Sequence, residues 1–278
     1  MFRVVQPMEM CYTGRDDARG ARPMPDPNRH QEFQLTGGNT NVVVFVHGIL
    51  GSPCSFRTMA ERLHRQGLDC VALLLPGHGG SARQFSRAKA AQWPEYVKKR
   101  LIELRQQYKR VWLIGHSLGG LISLDCAASG LACGLVLLNA PLVFKASPKQ
   151  LGFSLKIMLG TKDDSDPFLA AYRNDYSVCG AKLYEYPLWV RQFLGLFSYM
   201  RQVKNRLVQI RVPVLVLQSA RDESVPMRSA RLLMDGLVNA RAELLVLEHS
   251  YHLYFPEGDE ERVMAAVEGF LNRLEDVF

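Results

Sequence analysis

The run from Val111 to Ser123, VWLIGHSLGGLIS, decides how the rest of this 278-residue chain is read. Four apolar residues lead into Gly115-His116-Ser117-Leu118-Gly119-Gly120, and an apolar helical pattern follows at once. That order describes a buried strand, a very tight turn and a helix. The turn places Ser117 on strained backbone, with its hydroxyl clear of the sheet edge. Glycine is required at 115 and 119 because a side chain there would collide with the neighbouring strand or helix. The helix that begins at the serine directs its free N–H groups at whatever the hydroxyl attacks, which favours developing negative charge. A bare G-x-S-x-G match is weak, and a bystander serine could occupy such a turn. The strand–turn–helix setting is what marks Ser117 as a nucleophile.

Working outward, the same alternation recurs. Val42 to Val46 is a continuous β-branched and aromatic run, of the kind buried on both faces in a parallel sheet. It ends in His47-Gly48-Ile49-Leu50-Gly51, after which Ser52 and Pro53 supply an N-cap and a first helical residue. Cys70 to Leu75 is a second buried strand, Trp93 to Tyr108 an amphipathic helix, and Leu135 to Leu138 a further strand. After Pro141 the rhythm breaks for some seventy residues, far more than a crossover needs. It resumes with a strand at 214–217, a helix around 229–237, a strand at 244–247 and a helix from Glu260 to Leu274.

The expected architecture is therefore α/β, a doubly wound and mostly parallel sheet with a helical cap insertion. The expected divisions are an N-terminal arm with edge strands (1–41), a core (42–141 and 213–278) and a cap or lid (142–212). Large apolar residues in the insertion, among them Phe153, Ile157, Leu188, Phe193 and Phe197, are candidate walls of a substrate pocket. They could equally form a small second core.

Composition narrows the classes. The chain carries a net charge of +7, but Lys and Arg are scattered, and the longest basic run is Lys98-Lys99-Arg100. No basic stripe or nucleic-acid motif accompanies them, so nucleic-acid binding is set aside, and at most a weak attraction to an anionic membrane remains. The six cysteines show no CxxC spacing and several lie inside apolar patterns, which fits reduced thiols rather than a disulfide framework or a zinc site. The first residues hold no apolar leader, and no apolar run approaches the roughly 18 residues that span a bilayer. A cytoplasmic protein is expected.

In a doubly wound sheet, ligands meet the carboxyl ends of the strands. Ser117, Asp222 and His252 each follow a strand directly, and separate strand ends of one sheet can bring them together. A serine hydroxyl needs a base with a pKa near 7, and a carboxylate fixes the tautomer of that base. On position alone His249 rivals His252, and Glu223 rivals Asp222. His47 lies in the turn after the first core strand, His78 reads as a turn support, and His116 as a ring turned away from the serine.

The chain resembles the α/β-hydrolase fold serine hydrolases, more narrowly the bacterial carboxylesterases and the monoglyceride lipases. HGILG, LPGHGGS, GHSLGG, Ala220-Arg221-Asp222 with Val225-Pro226, and Ser250-Tyr251-His252 carry the likeness in the family's order. The resemblance selects Asp222 and His252 from their neighbours. It also implies an oxyanion hole at the N–H groups of Ile49 and Leu118, and it implies ester hydrolysis with no metal or organic cofactor. A small-molecule ester or lipid, with a medium or long acyl chain, is the implied substrate. Thioester or carbon–carbon hydrolysis on the same residues is the nearest alternative, and a non-catalytic binding module a remote one.

Overall fold

The computed structural model describes residues 30–145, 171–172, 174–178 and 187–276. Seven strands form one sheet: β1 (Phe33–Leu35), β2 (Asn41–Val46), β3 (Asp69–Leu73), β4 (Arg110–His116), β5 (Gly134–Leu138), β6 (Val214–Ser219) and β7 (Ala242–Leu247). Their order is β1-β3-β2-β4-β5-β6-β7. Only β1 runs antiparallel, pairing with β3 along Phe33 opposite Ala72. The chain moves outward from β2 to β3, then crosses back to β4 on the other side. The order thus reverses between β2 and β4, and the crevice beyond their carboxyl ends is where such a sheet holds its ligands.

The strands form where the sequence offers unbroken apolar runs. Every residue of β2, β3, β5 and β6 is buried, as expected for strands covered on both faces. One face packs against helices α3 (Gln92–Leu104), α4 (Leu118–Ala128), α5 (Val190–Lys204) and α6 (Met227–Gly236). The other packs against α1 (Arg57–Arg65) and α7 (Glu257–Asp276). Trp112 is fully buried on this second face, with Phe45, Ile114 and Phe270. Removing each such side chain from water contributes roughly 1.5–3 kcal/mol.

A short helix that the apolar pattern does not announce, α2 (Ala82–Arg87), is held by a reciprocal cap between Ser81 and Gln84. The helix after Pro187 shows what the apolar residues of this part of the insertion do. Leu196 and Val203 of α5 are buried in the same cluster as α4. Asp125 on α4 pairs with Lys98 and Arg206 and accepts a hydrogen bond from the Tyr199 hydroxyl at 3.1 Å. Gln192 donates to the carbonyls of Ser86 and Ala88, which ties α5 to the end of α2. Among the described residues no helix is long and apolar enough to cross a membrane.

Candidate active site

The turn after β4 is as tight as its glycines suggest. Ser117 has φ 53° and ψ −117°, a region that non-glycine residues rarely enter. Its N–H donates to the Leu138 carbonyl at 2.9 Å, which anchors the turn on β5. A Cβ on Gly119 would fall onto the Val46 carbonyl, and one on Gly115 onto the Gly119 carbonyl and the Ser123 hydroxyl. Helix α4 therefore starts directly against the end of β2.

Ser117, Asp222 and His252 come together at the rim. The Ser117 hydroxyl lies 3.1 Å from His252 Nε2, and His252 Nδ1 lies 2.7 Å from Asp222 Oδ2. With Nδ1–H donating to the carboxylate, the neutral ring presents Nε2 as an acceptor for the serine proton. The other Asp222 oxygen accepts from the N–H groups of Ser224 and Val225, so the carboxylate is fixed by its own loop. Burial by itself would lower the His252 pKa. The charge and hydrogen bond of Asp222, with Glu223 and Asp175 adding to them, outweigh that and raise it above the ordinary value. A hydroxyl, a base and an orienting carboxylate in this order can pass a proton.

The rival residues lie elsewhere. Glu223 accepts from the backbone N–H of His252, at 3.3 Å, rather than from its ring. His249 is exposed, with Arg221 donating to its Nδ1. His116 does not simply turn away from the serine. Its ring is buried 4.8 Å from the His252 ring, and its Nε2–H donates to the His252 carbonyl at 2.9 Å. Burial, and then the neighbouring His252, lower its pKa to about 3.

The turn after β2 is clamped from several sides. The Leu75 N–H donates to His47 Nε2 at 3.0 Å, and His47 Nδ1–H donates to the Gly48 carbonyl at 2.8 Å. The Leu50 N–H donates to His78 Nε2 at 3.0 Å. Ser177, fully buried, donates from its N–H to the Leu50 carbonyl and from its hydroxyl to the Gly51 carbonyl. Among the described residues neither the Ile49 N–H nor the Leu118 N–H has an acceptor. A Cβ on Gly48 would stand 3.2 Å from the Ser117 Cβ, so this turn lies against the serine.

Asn139 is the residue that sequence reasoning missed. It follows β5 with φ 49°, and its amide donates to the His252 carbonyl at 3.1 Å and to the Ser219 hydroxyl at 3.1 Å. Its Oδ1 accepts from the Ser219 N–H at 2.8 Å. One side chain thus ties the ends of β5 and β6 to the loop that carries His252. An asparagine directly after a buried strand, a residue tolerant of left-handed backbone, was the available signal.

Beside the site is a cavity of about 360 Å³. Among the described residues its walls come from the 54–59 segment, Ala171, Asn174 and Asp175, the loop 253–255 and α7, together with His47 and His116. Of the expected pocket residues, Phe153 and Ile157 lie outside the described residues. Leu188 and Phe197 are about half exposed, Phe193 is partly buried on α5, and none of the three lines this cavity.

Comparison with known proteins adds three findings. The family model described as serine aminopeptidase, S33, matches residues 38–259. A thermostable monoacylglycerol lipase of Bacillus sp. (strain H-257) is 26% identical over 226 residues, covering 80% of this chain and 86% of that protein, and a carboxylesterase of Bacillus subtilis (strain 168) is 22% identical over 87% and 96%. Among solved structures, one from the work on LipS and LipT, two metagenome-derived lipolytic enzymes, superposes with a TM-score of 0.71 at 21% identity, covering 88% of this chain and 98% of that one.

Proposed function

The chain belongs to the serine aminopeptidase S33 family of α/β-hydrolases, and from that premise we propose that it hydrolyses carboxylic esters through an acyl-enzyme on Ser117. The family description names a peptidase, but the similarity to a monoacylglycerol lipase and a carboxylesterase favours an ester bond. The observation that carries the reading is the unbroken relay from Asp222 through His252 to Ser117, 2.7 and 3.1 Å long.

Ser117 attacks the carbonyl carbon as His252 takes its proton, and Asp222 holds the imidazolium. The N–H groups of Ile49 and Leu118 receive the oxyanion. Each such donor is worth roughly 3–4 kcal/mol of transition-state stabilisation. His252 then returns its proton to the leaving alcohol, and a water activated by the same ring releases the acid. None of these steps calls on a group other than the chain's own residues, the ester and water.

The substrate is read as a small-molecule ester or lipid with a medium or long acyl chain. Ser177 hydrogen-bonds the turn after β2, and α5 packs against α4, which supports reading 142–212 as an insertion over the strand ends. Val190, Leu194 and Phe197 stand exposed on α5 beside Arg191 and Arg201. With a net charge of +7, this face supports a weak peripheral contact with an anionic bilayer that delivers lipid esters. Among the described residues the cysteines at 54, 70, 126 and 133 are free thiols, which supports a cytoplasmic setting.

A chain-length series of p-nitrophenyl esters and monoacylglycerols, with Ser117→Ala as control, tests the reading. Turnover that peaks at medium or long acyl chains and disappears in the variant is expected. Equal turnover by Ser117→Ala, or none by the native protein, would refute it.

A further inference from the structure

We infer that Ser177, on the chain between β5 and α5, is a positioning residue for the oxyanion hole: its hydroxyl and its N–H fix the turn that carries the Ile49 N–H. This rests on the ester-hydrolase reading and deepens it, because a residue outside the relay and outside the sheet then shares in the rate.

The turn after β2 does not sit in a shape its residues prefer. Leu50 has φ 61°, a left-handed conformation that crowds any side chain, so bonds from outside must hold it there. The turn's own bond runs from the Gly51 N–H to the Gly48 carbonyl at 3.1 Å. The next two carbonyls, of Leu50 and Gly51, find their donors on Ser177. Its N–H donates to Leu50 at 2.9 Å and its hydroxyl to Gly51. The same hydroxyl oxygen accepts the Gly79 N–H at 3.2 Å, which ties it to the turn after β3 as well. Ser177 is fully buried, so water cannot replace these bonds if the side chain is lost.

Neighbours of Ser177 lie along the same stretch. The Cys54 thiol donates to the Asn174 carbonyl at 3.7 Å, and a Cβ on Gly51 would stand 3.1 Å from the Asp175 carboxylate. From the sheet side, His78 Nε2 accepts the Leu50 N–H at 3.0 Å. Leu50 is therefore gripped through its N–H by the core and through its carbonyl by Ser177. Ile49 stands between Leu50 and Gly48, and a Cβ on Gly48 would come within 3.2 Å of the Ser117 Cβ. Freedom gained at Leu50 and Gly51 passes directly to Ile49, whose N–H must be aimed beside the serine. An oxyanion donor acts on charge that develops only in the transition state, so a loosened one lowers kcat and leaves ground-state binding alone.

The test compares the native protein with Ser177→Ala and Ser177→Cys, using p-nitrophenyl octanoate and two inhibitors, an octyl trifluoromethyl ketone and the matching methyl ketone. The Ser117 oxygen adds to the trifluoromethyl ketone carbon as its proton passes to His252, and the carbonyl pair moves onto an oxygen that the hole must hold. The methyl ketone stays a ketone and reads binding alone. In Ser177→Ala, kcat per site titrated to completion with a fluorophosphonate is expected to fall roughly tenfold to hundredfold, with KM within about twofold of native. The preference for the trifluoromethyl ketone over the methyl ketone should shrink by a similar factor. Ser177→Cys, close in volume but a weaker donor, should fall between the two, and it reads the same ratio should the alanine variant fail to fold. A serine with only a structural role would lower the melting temperature and leave both kcat per site and the ketone ratio unchanged, and that result overturns the inference. A fall in kcat with an unchanged ketone ratio overturns it as well, since the loss then lies outside the hole. A native protein that cleaves no ester and does not distinguish the ketones refutes the hydrolase reading itself.

Discussion

The side-chain amide of Asn139, at the end of β5, donates a hydrogen bond to the backbone carbonyl of His252 at 3.1 Å. That carbonyl also receives His116 Nε2–H at 2.9 Å, so His252 is held by its backbone as well as by its ring. Asn139→Gly keeps the left-handed backbone and removes the amide's donors together with the Oδ1 that accepts from the Ser219 N–H. We expect kcat to fall roughly tenfold to a hundredfold with KM little changed, since a slight misplacement of a reacting group costs about that much. Stability should fall by about 1–3 kcal/mol from the buried groups left unpaired. Steady-state kinetics and urea denaturation check both, and an unchanged kcat would remove Asn139 from the positioning role.

Asp222 is expected to show itself in the pH profile. The base must be neutral to work, and its pKa is raised in the folded chain, so kcat/KM should fall as pH drops through that raised value. Asp222→Asn removes the charge that raises it. Turnover should drop by about 10⁴-fold, and the acidic limb of what remains should move to lower pH. A limb that stays in place would mean that another group sets it.

The start of α4 tolerates no added carbon. Gly119→Ala would drive a Cβ into the Val46 carbonyl, which is backbone and cannot step aside. A loss of about 3 kcal/mol or more, seen as a lower melting temperature or failure to fold, is expected. Gly130→Ala, where nothing lies within 4 Å but φ is 71°, should cost only the backbone strain, about 1 kcal/mol. Similar melting temperatures for the two would contradict the close approach of α4 and β2.

Buried neutral histidines make the fold sensitive to acid. Burial lowers the His78 pKa to about 4 and that of His116 to about 3, and it holds His47 well below its ordinary value. In the unfolded chain each ring binds its proton near 6.5, so below that pH the unfolded state gains protons that the folded state refuses. Their contribution is complete above about pH 6.5 and is lost as pH falls toward the folded values, at up to about 1.4 kcal/mol per pH unit per ring. His252, with its raised pKa, acts in the opposite sense, and one ring against three leaves the direction unchanged. The urea midpoint should fall between pH 7 and pH 4.5, and less steeply in His78→Phe. A flat midpoint would contradict the burial of these rings.

Most of the sheet was legible because parallel strands covered on both faces must be written as apolar runs, as in Val42 to Val46. That Ser117, Asp222 and His252 meet at one rim was legible because each follows a strand, and a wound sheet gathers its strand ends. The choice of His252 over His249 needed the resemblance, since both follow β7. Asn139 was hidden because its contacts join β5, β6 and a loop more than a hundred residues away. Ser177 was hidden for the same reason, its partners being Leu50 and Gly51. The apolar residues of α5 were ambiguous by nature, because a helix against a core and a helix lining a pocket share one pattern. Leu196 and Val203 prove to be core, while Leu194 and Phe197 face outward.

The most direct measurement is the site of covalent modification by a fluorophosphonate. Brief exposure of the folded protein, followed by peptide mass spectrometry, should place the adduct on Ser117, with labelling strongly slowed in His252→Ala and absent in Ser117→Ala. A native protein that remains unlabelled, or an adduct on another residue with Ser117 untouched, would contradict the account.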